Sequence, residues 1–222
     1  MKILVACECS GRVRDAFLKL GHDAISCDLK DTEVPGPHFK GDVKDVINNG
    51  FDLMIAHPPC TYLCTSGARW FTNKGRKEKQ DKAVEFVEYL MNAKISRICI
   101  ENPVGIINTV IRQPDQIINP WMFGDEFSKK TCLWLKNLPF LRYINVVDKG
   151  EYYICKSGKR VPKWYNQFSA KNRSEGRSKT FLGIANVMAK QWGILKYEKF
   201  INERNRIFSY KSILCEKFEV YK

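Results

Sequence analysis

The chain has no run of 18 or more apolar residues, so none of it is expected to cross a membrane as a helix. Its opening stretch, Met1 to Ala6, is too short for the apolar core of a secretory leader and meets charge at Glu8. It reads instead as the first strand of a sheet. Internal repeats and low-complexity tracts are absent, which argues against stacked-repeat architectures and linker-like disorder. Cys7/Cys9 and Cys60/Cys64 are close pairs, yet neither has a second pair at zinc-finger spacing, so no metal site is expected. Acidic residues are scarce beside basic ones: 24 Asp and Glu against 37 Lys and Arg, a net charge of +13. Solubility alone could account for such an excess. Its clustering points instead to a polyanionic partner, because released counterions drive basic surfaces onto phosphate backbones.

What is present fits one domain of ordinary size. At 222 residues and 44% hydrophobic content, the chain can bury a sizeable core. Nine cysteines occur without a secretory signal, and Cys27, Cys99 and Cys132 lie inside apolar runs. That pattern suits free, buried thiols in a reducing cytoplasm.

Apolar runs and helical spacings alternate along the chain. Lys2 to Ala6 is a short buried strand, followed by a Cys9-Ser10-Gly11 turn. A helix through Val13, Ala16, Phe17 and Leu20 comes next, with Gly21 placed to stop it. Asp23 to Cys27 and Asp52 to Ala56 are further strands. From Lys77 to Ala93 the apolar residues Ala83, Val87, Leu90 and Met91 fall at helical spacing. Arg97 to Ile100 and Thr131 to Leu135 complete the strands, and Phe181 to Trp192 returns to a helix-like pattern. This order implies an α/β fold with a mostly parallel sheet covered by helices on both faces. After about Leu141 the character changes. Tyr143 to Ile154, then Lys156 to Lys159, reads as a hairpin with a basic tip.

Two strand ends carry the chemistry. Pro58-Pro59-Cys60 closes the run from Phe51 to His57, and Glu101-Asn102-Pro103 closes the run ending at Ile100. Open α/β sheets bind ligands at the carboxyl ends of their strands. A cysteine there can attack C6 of a pyrimidine, while a glutamate can hold the edge of the base. Asn102 is suited to cap a following helix, with Pro103 in its first turn.

In these residues the chain resembles the cytosine-C5 DNA methyltransferases that use S-adenosylmethionine, over nearly its whole length from Lys2 to about Gly193. Those enzymes carry a Pro-Cys nucleophile and a Glu-Asn-Val in the same order, and here Pro103 stands for the valine. The resemblance implies a Rossmann-like methyltransferase sheet and a flipped cytosine attacked by Cys60, with Glu101 on its N3/N4 edge. It also implies cofactor contacts at Cys9, Gly11 and Pro58, at Asp28 for the ribose hydroxyls and at Asp42 for the adenine amine. Aspartates at such places can equally be caps or turn residues.

Several positions depart from the family. Cys9 replaces a phenylalanine, Val13 replaces a second glycine, and Thr61-Tyr62-Leu63-Cys64 replaces Gln-x-Phe-Ser. A later arginine pair becomes Lys129-Lys130, and Asn186 is displaced from its expected place.

The region that would read the target is short, from about Leu141 to Thr180, which implies loose sequence preference or a small substrate. Such compactness would suit a phage or mobile-element product. Lys156 to Lys179 holds eight basic residues and one acidic, interleaved with Trp164, Tyr165 and Phe168. Lys159, Arg160 and Lys163 are candidates to grip phosphates and Trp164 to stack on a base; packing of these aromatics onto the core is the equal alternative. Arg69 to Lys82, with six basic and two acidic residues, would be a mobile loop closing on DNA or an exposed helix start. The expectation is one methyltransferase-like domain over residues 1–195, cytoplasmic, with an extension over 196–222. Action on a free pyrimidine nucleotide or an RNA base, or binding without turnover, remain as alternatives.

Overall fold

A computed structural model of the chain describes residues 1–65, 74–156, 158–167 and 173–194. Seven strands form one sheet: β1 (Lys2–Ala6), β2 (Asp23–Asp28), β3 (His38–Lys40), β4 (Leu53–Ala56), β5 (Arg97–Pro103), β6 (Gln116–Ile118) and β7 (Thr131–Lys136). Their order is β3-β2-β1-β4-β5-β7-β6. The first five pair in parallel, and β7 runs antiparallel to both β5 and β6. This is the mostly parallel α/β sheet expected from the alternation of elements.

Helices cover both faces, so the central strands are apolar on both sides instead of alternating. Ile3, Val5, Leu53 and Ile55 face a layer formed by α1 (Arg12–Leu18) and α5 (Leu182–Gly193), where Phe17, Met188 and Trp192 are buried. Leu4, Ala6, Met54 and Ala56 face the opposite layer, built from α2 (Lys74–Met91) and the short α3 (Ile107–Val110) through Val84, Val87, Leu90 and Ile107. Among the described residues no helix is long and apolar enough to cross a membrane.

The helices and longer strands lie where the spacing places them, and Gly21 follows α1 in the left-handed region at φ 76°. β3 and β6, three residues each, are too short to show a period. The hairpin is β8 (Tyr152–Ile154) with β9 (Arg160–Pro162), closed by Cys155 N–H on the Lys159 carbonyl at 3.0 Å. α4 (Arg173–Ser178) precedes α5.

Candidate active site

Chain order reverses between β1 and β4, and such a switch point opens a crevice beyond the carboxyl ends of the strands. The register levels Ala6 with Cys27 and Ala56, and Ala56 with Ile100. The next residue of each segment therefore reaches the same edge: Cys7, Asp28, His57 and Glu101.

Cys60 opens a 3-10 turn, Cys60–Tyr62, that is tied down on two sides. From α2, Gln80 Nε2 donates to the Tyr62 carbonyl at 3.0 Å, and Arg76 Nη2 donates to the Thr61 carbonyl at 3.1 Å. From the loop after β5, Ile106 N–H donates to the Leu63 carbonyl at 2.8 Å. Gly105 fits there because it lacks a side chain: a Cβ would stand 2.0 Å from the Leu63 oxygen. The Cys60 and Glu101 segments are thereby held against each other.

Asn102 corrects one expectation. It caps no helix: Nδ2 donates to the Pro58 carbonyl at 2.7 Å, and α3 starts only at Ile107. β5 continues through Pro103 because antiparallel β7 still lies beside it, pairing Asn102 with Cys132 and Pro103 with Thr131. The buried Pro58 carbonyl accepts from Nδ2, while Oδ1, the atom that would cap a helix, is buried without a partner among the described residues.

His57 is the functional candidate that sequence reasoning missed, since it read only as the last residue of an apolar run. Its Nδ1 lies 2.8 Å from Glu101 Oε2, with the two side chains 10% and 9% exposed. Burial raises the Glu101 carboxyl, but the His57 hydrogen bond and the nearby Lys129 charge outweigh it and leave the group below its ordinary range. Glu101 is a carboxylate, and Nδ1 is the donor. Lys129, which the resemblance matched only loosely, thus acts on this site. The Cys60 thiol is pushed well above its usual range by its hydrogen bond with Cys64 and by burial, with Lys129 opposing. At rest it is a protonated thiol.

On the other side of the switch point, Gly11 precedes α1 in the left-handed region at φ 72°, where a Cβ would meet Arg14 Nη2 at 2.5 Å. The amides that open α1 are already taken. Glu8, 5% exposed, accepts from Val13 N–H at 2.9 Å, Arg14 N–H at 3.4 Å and the Ser10 hydroxyl at 3.0 Å. Sequence reasoning missed this carboxylate as well. Cys9 is bridged to the loop after β2, its carbonyl accepting Glu33 N–H at 2.8 Å.

Asp28 Oδ1 accepts Lys30 N–H at 2.9 Å, and Asp42 Oδ1 caps a 3-10 turn through Lys44 N–H at 3.0 Å. Each keeps its second oxygen without a partner among the described residues. Cys7, at φ 58°, has its thiol pushed up to about 12 by burial and then by the charges of Asp28 and Asp42. The two aspartates therefore converge on one end of the crevice.

The basic segment divides. Lys159 is exposed, Arg160 lies over the Tyr152 ring at 4.0 Å, and Lys163 pairs with Glu151 at 2.9 Å. Trp164 corrects the stacking expectation. It is buried at 6% exposure, packs edge-on against Phe127 and Phe181, and donates to the Ser128 carbonyl at 3.1 Å. Its ring belongs to the packing between insertion and sheet. Arg69 lies outside the described residues, as do Phe168 and residues 196–222; from Lys74 onward the expected loop is already helix α2.

The chain matches no protein-family profile and no curated protein. A crystal structure of a protein encoded within an E. coli prophage, provisionally assigned as a DNA modification methyltransferase, matches with a TM-score of 0.42 and 14% identity. The match covers 61% of this chain and 46% of that one, so this chain spans under half of that protein's length. A likeness this loose does not say which reaction the chain carries out.

Proposed function

We propose that the chain is an S-adenosylmethionine-dependent methyltransferase acting on C5 of cytosine in DNA, with Cys60 as the nucleophile and Glu101 on the N3/N4 edge. The observation that carries this reading is the fastening of the Cys60 turn to the Glu101 segment by Asn102 on Pro58 and by the Leu63–Ile106 contact. Thiol and carboxylate share one strand edge, as addition to a pyrimidine requires.

The residues across the switch point fit the cofactor. A helix start beside a glycine turn ordinarily receives phosphate, but here Glu8 fills it, which disfavours a pyrophosphate-bearing nucleotide. The carboxylates of Asp28 and Asp42 suit ribose hydroxyls and an adenine amine, and they favour a cationic ligand over an anionic one. Bound there, S-adenosylmethionine supplies an electrophilic methyl group. Gly11 and Cys9 would line its methionine part and Pro58 the approach to the base. Residues 1–195 would act as one unit, with 141–180 as a reduced recognition segment.

The chain's own groups then divide the work. Lys129 favours the Cys60 thiolate as the base arrives, the thiolate attacks C6, and Glu101 holds the base edge. DNA containing 5-fluorocytosine should trap Cys60 as a covalent adduct when S-adenosylmethionine is present, because fluorine blocks the final elimination. Cys60→Ser should give no shifted band. A wild-type protein that binds the cofactor yet forms no adduct would sink the mechanism. Asp28→Ala and Asp42→Ala should each weaken cofactor binding by about 1–3 kcal/mol in calorimetry.

A second reading, a free pyrimidine nucleotide or an RNA base as substrate, is favoured by the burial of Trp164, which removes a stacking platform from an already short segment. Adduct formation with a 5-fluorinated nucleotide but not with DNA would select it. Wild type failing to bind S-adenosylmethionine would select a binding protein without turnover.

A further inference from the structure

We propose that Cys60 and Cys64 form a peroxide-sensitive dithiol site, in which a hydroperoxide closes a reversible disulfide across the turn after β4 and takes the Cys60 thiol out of use. The two residues lie on one turn of backbone: Cys60–Tyr62 is a 3-10 turn, and the Cys60 carbonyl accepts both Leu63 N–H and Cys64 N–H at 3.0 Å. Residues four apart on such a turn share a face, and here the two thiols hydrogen-bond each other. Both are partly exposed, whereas Cys27, Cys99 and Cys132 are buried. A small oxidant can therefore reach the pair. On a helical turn, Cβ atoms four residues apart stand about 5–6 Å from each other, wider than the roughly 3.5–4.5 Å of a relaxed disulfide. The turn must tighten to close, yet Gln80 holds the Tyr62 carbonyl, Arg76 the Thr61 carbonyl and Ile106 the Leu63 carbonyl. A bond closed against these ties is strained and easily reduced, as regulatory disulfides are.

Two thiols this close do not ionise together. The hydrogen bond with Cys64, burial and the Cys64 charge all keep the proton on Cys60, which makes Cys64 the attacking sulfur. The Cys64 thiolate attacks the terminal oxygen of the hydroperoxide. An S–O bond forms, the O–O bond breaks, and the departing oxygen takes a proton to leave as an alcohol, or as water from hydrogen peroxide. Cys64 is then a sulfenic acid, oxidised by two electrons. The Cys60 sulfur next attacks the Cys64 sulfur: an S–S bond forms, the S–O bond breaks, and hydroxide leaves with the Cys60 proton as water. Two thiols and one hydroperoxide give one disulfide, one alcohol and one water. A small thiol reductant reverses the change by exchange. While the disulfide is closed, Cys60 cannot add to a pyrimidine. That consequence rests on the methyltransferase reading; the bond itself does not.

The test treats the reduced full-length protein with hydrogen peroxide, blocks it with iodoacetamide and maps the cysteines by peptide mass spectrometry. In wild type the peptide spanning Cys60 and Cys64 should be two hydrogens lighter and carry no alkyl group. Dithiothreitol before blocking should restore alkylation of both residues. Both cysteines staying alkylatable after peroxide, or Cys60 joined to any other cysteine, overturns the proposal. Cys64→Ala removes the partner thiol, so excess peroxide should carry Cys60 on to a sulfinic acid that dithiothreitol does not reduce. Equal recovery of Cys60 in variant and wild type overturns the proposal as well. Trapping by 5-fluorocytosine DNA with S-adenosylmethionine separates the two readings: it should be lost on oxidation and return with dithiothreitol. Undiminished trapping by the oxidised protein overturns the proposal. A reduced protein that traps no DNA, yet closes the disulfide as expected, counts against the methyltransferase reading alone.

Discussion

At Cys60 two neighbours pull in opposite directions: Cys64 and burial hold the proton on sulfur, and Lys129 favours its loss. Removing the Cys64 thiol should therefore make Cys60 more reactive. Cys64→Ala is expected to speed alkylation of Cys60 by iodoacetamide at pH 8 by roughly tenfold or more, since each pKa unit is a factor of ten in thiolate fraction. Peptide mass spectrometry reads this directly, and an unchanged rate would mean that Cys64 does not restrain the Cys60 thiol. Glu101 carries a pH signature of its own. Its folded carboxyl lies below the ordinary glutamate range, so the unfolded chain binds that proton more readily. The stabilisation is complete above about pH 4.3, the ordinary glutamate value, and is lost as pH falls through the lower folded value. In urea titrations across that window, wild type should lose stability more steeply than Glu101→Gln.

At the scale of elements, the candidate site depends on how two loops meet. The 63–65 and 104–106 segments approach so closely that only a residue without Cβ fits at position 105. Gly105→Ala should destabilise by about 1–3 kcal/mol, as overpacking does, and should make Cys60 easier to alkylate. Stability and labelling that both match wild type would show that this contact does not hold the Cys60 turn. The β4, β5, α2 and α5 segments were legible because their patterns are local: continuous apolar runs for strands buried on both faces, and a helical period for the two helices. Asn102 was misread for an equally physical reason. Followed by proline, it has the local signature of a helix start, but an antiparallel neighbour brought from 28 or more residues away kept the strand going.

For the whole molecule, the +13 charge predicts binding driven by phosphate contacts. Replacing Lys159, Arg160 and Lys163 with alanine should weaken DNA binding similarly across unrelated sequences. The slope of log affinity against log salt should fall by about 0.9 per lost contact. Lys163, already paired with Glu151, should contribute least, and exposed Lys159 most. An unchanged slope would place the phosphate contacts elsewhere on the chain.

The sequence by itself determined the alternation of strands and helices, the placement of Cys60 and Glu101 at strand ends, and a covered, mostly parallel sheet. These follow from periodicity and turn residues within short windows. Tertiary structure decided the strand order, the reversal of β7, the burial of Trp164, the Glu8 carboxylate at the start of α1 and the His57–Glu101 pair. Most of these join residues far apart in the chain; His57 and Glu101 are separated by 44 positions. No local pattern encodes which strand will lie beside which. A hydrogen bond between two strand ends exists only after the sheet has brought those ends together.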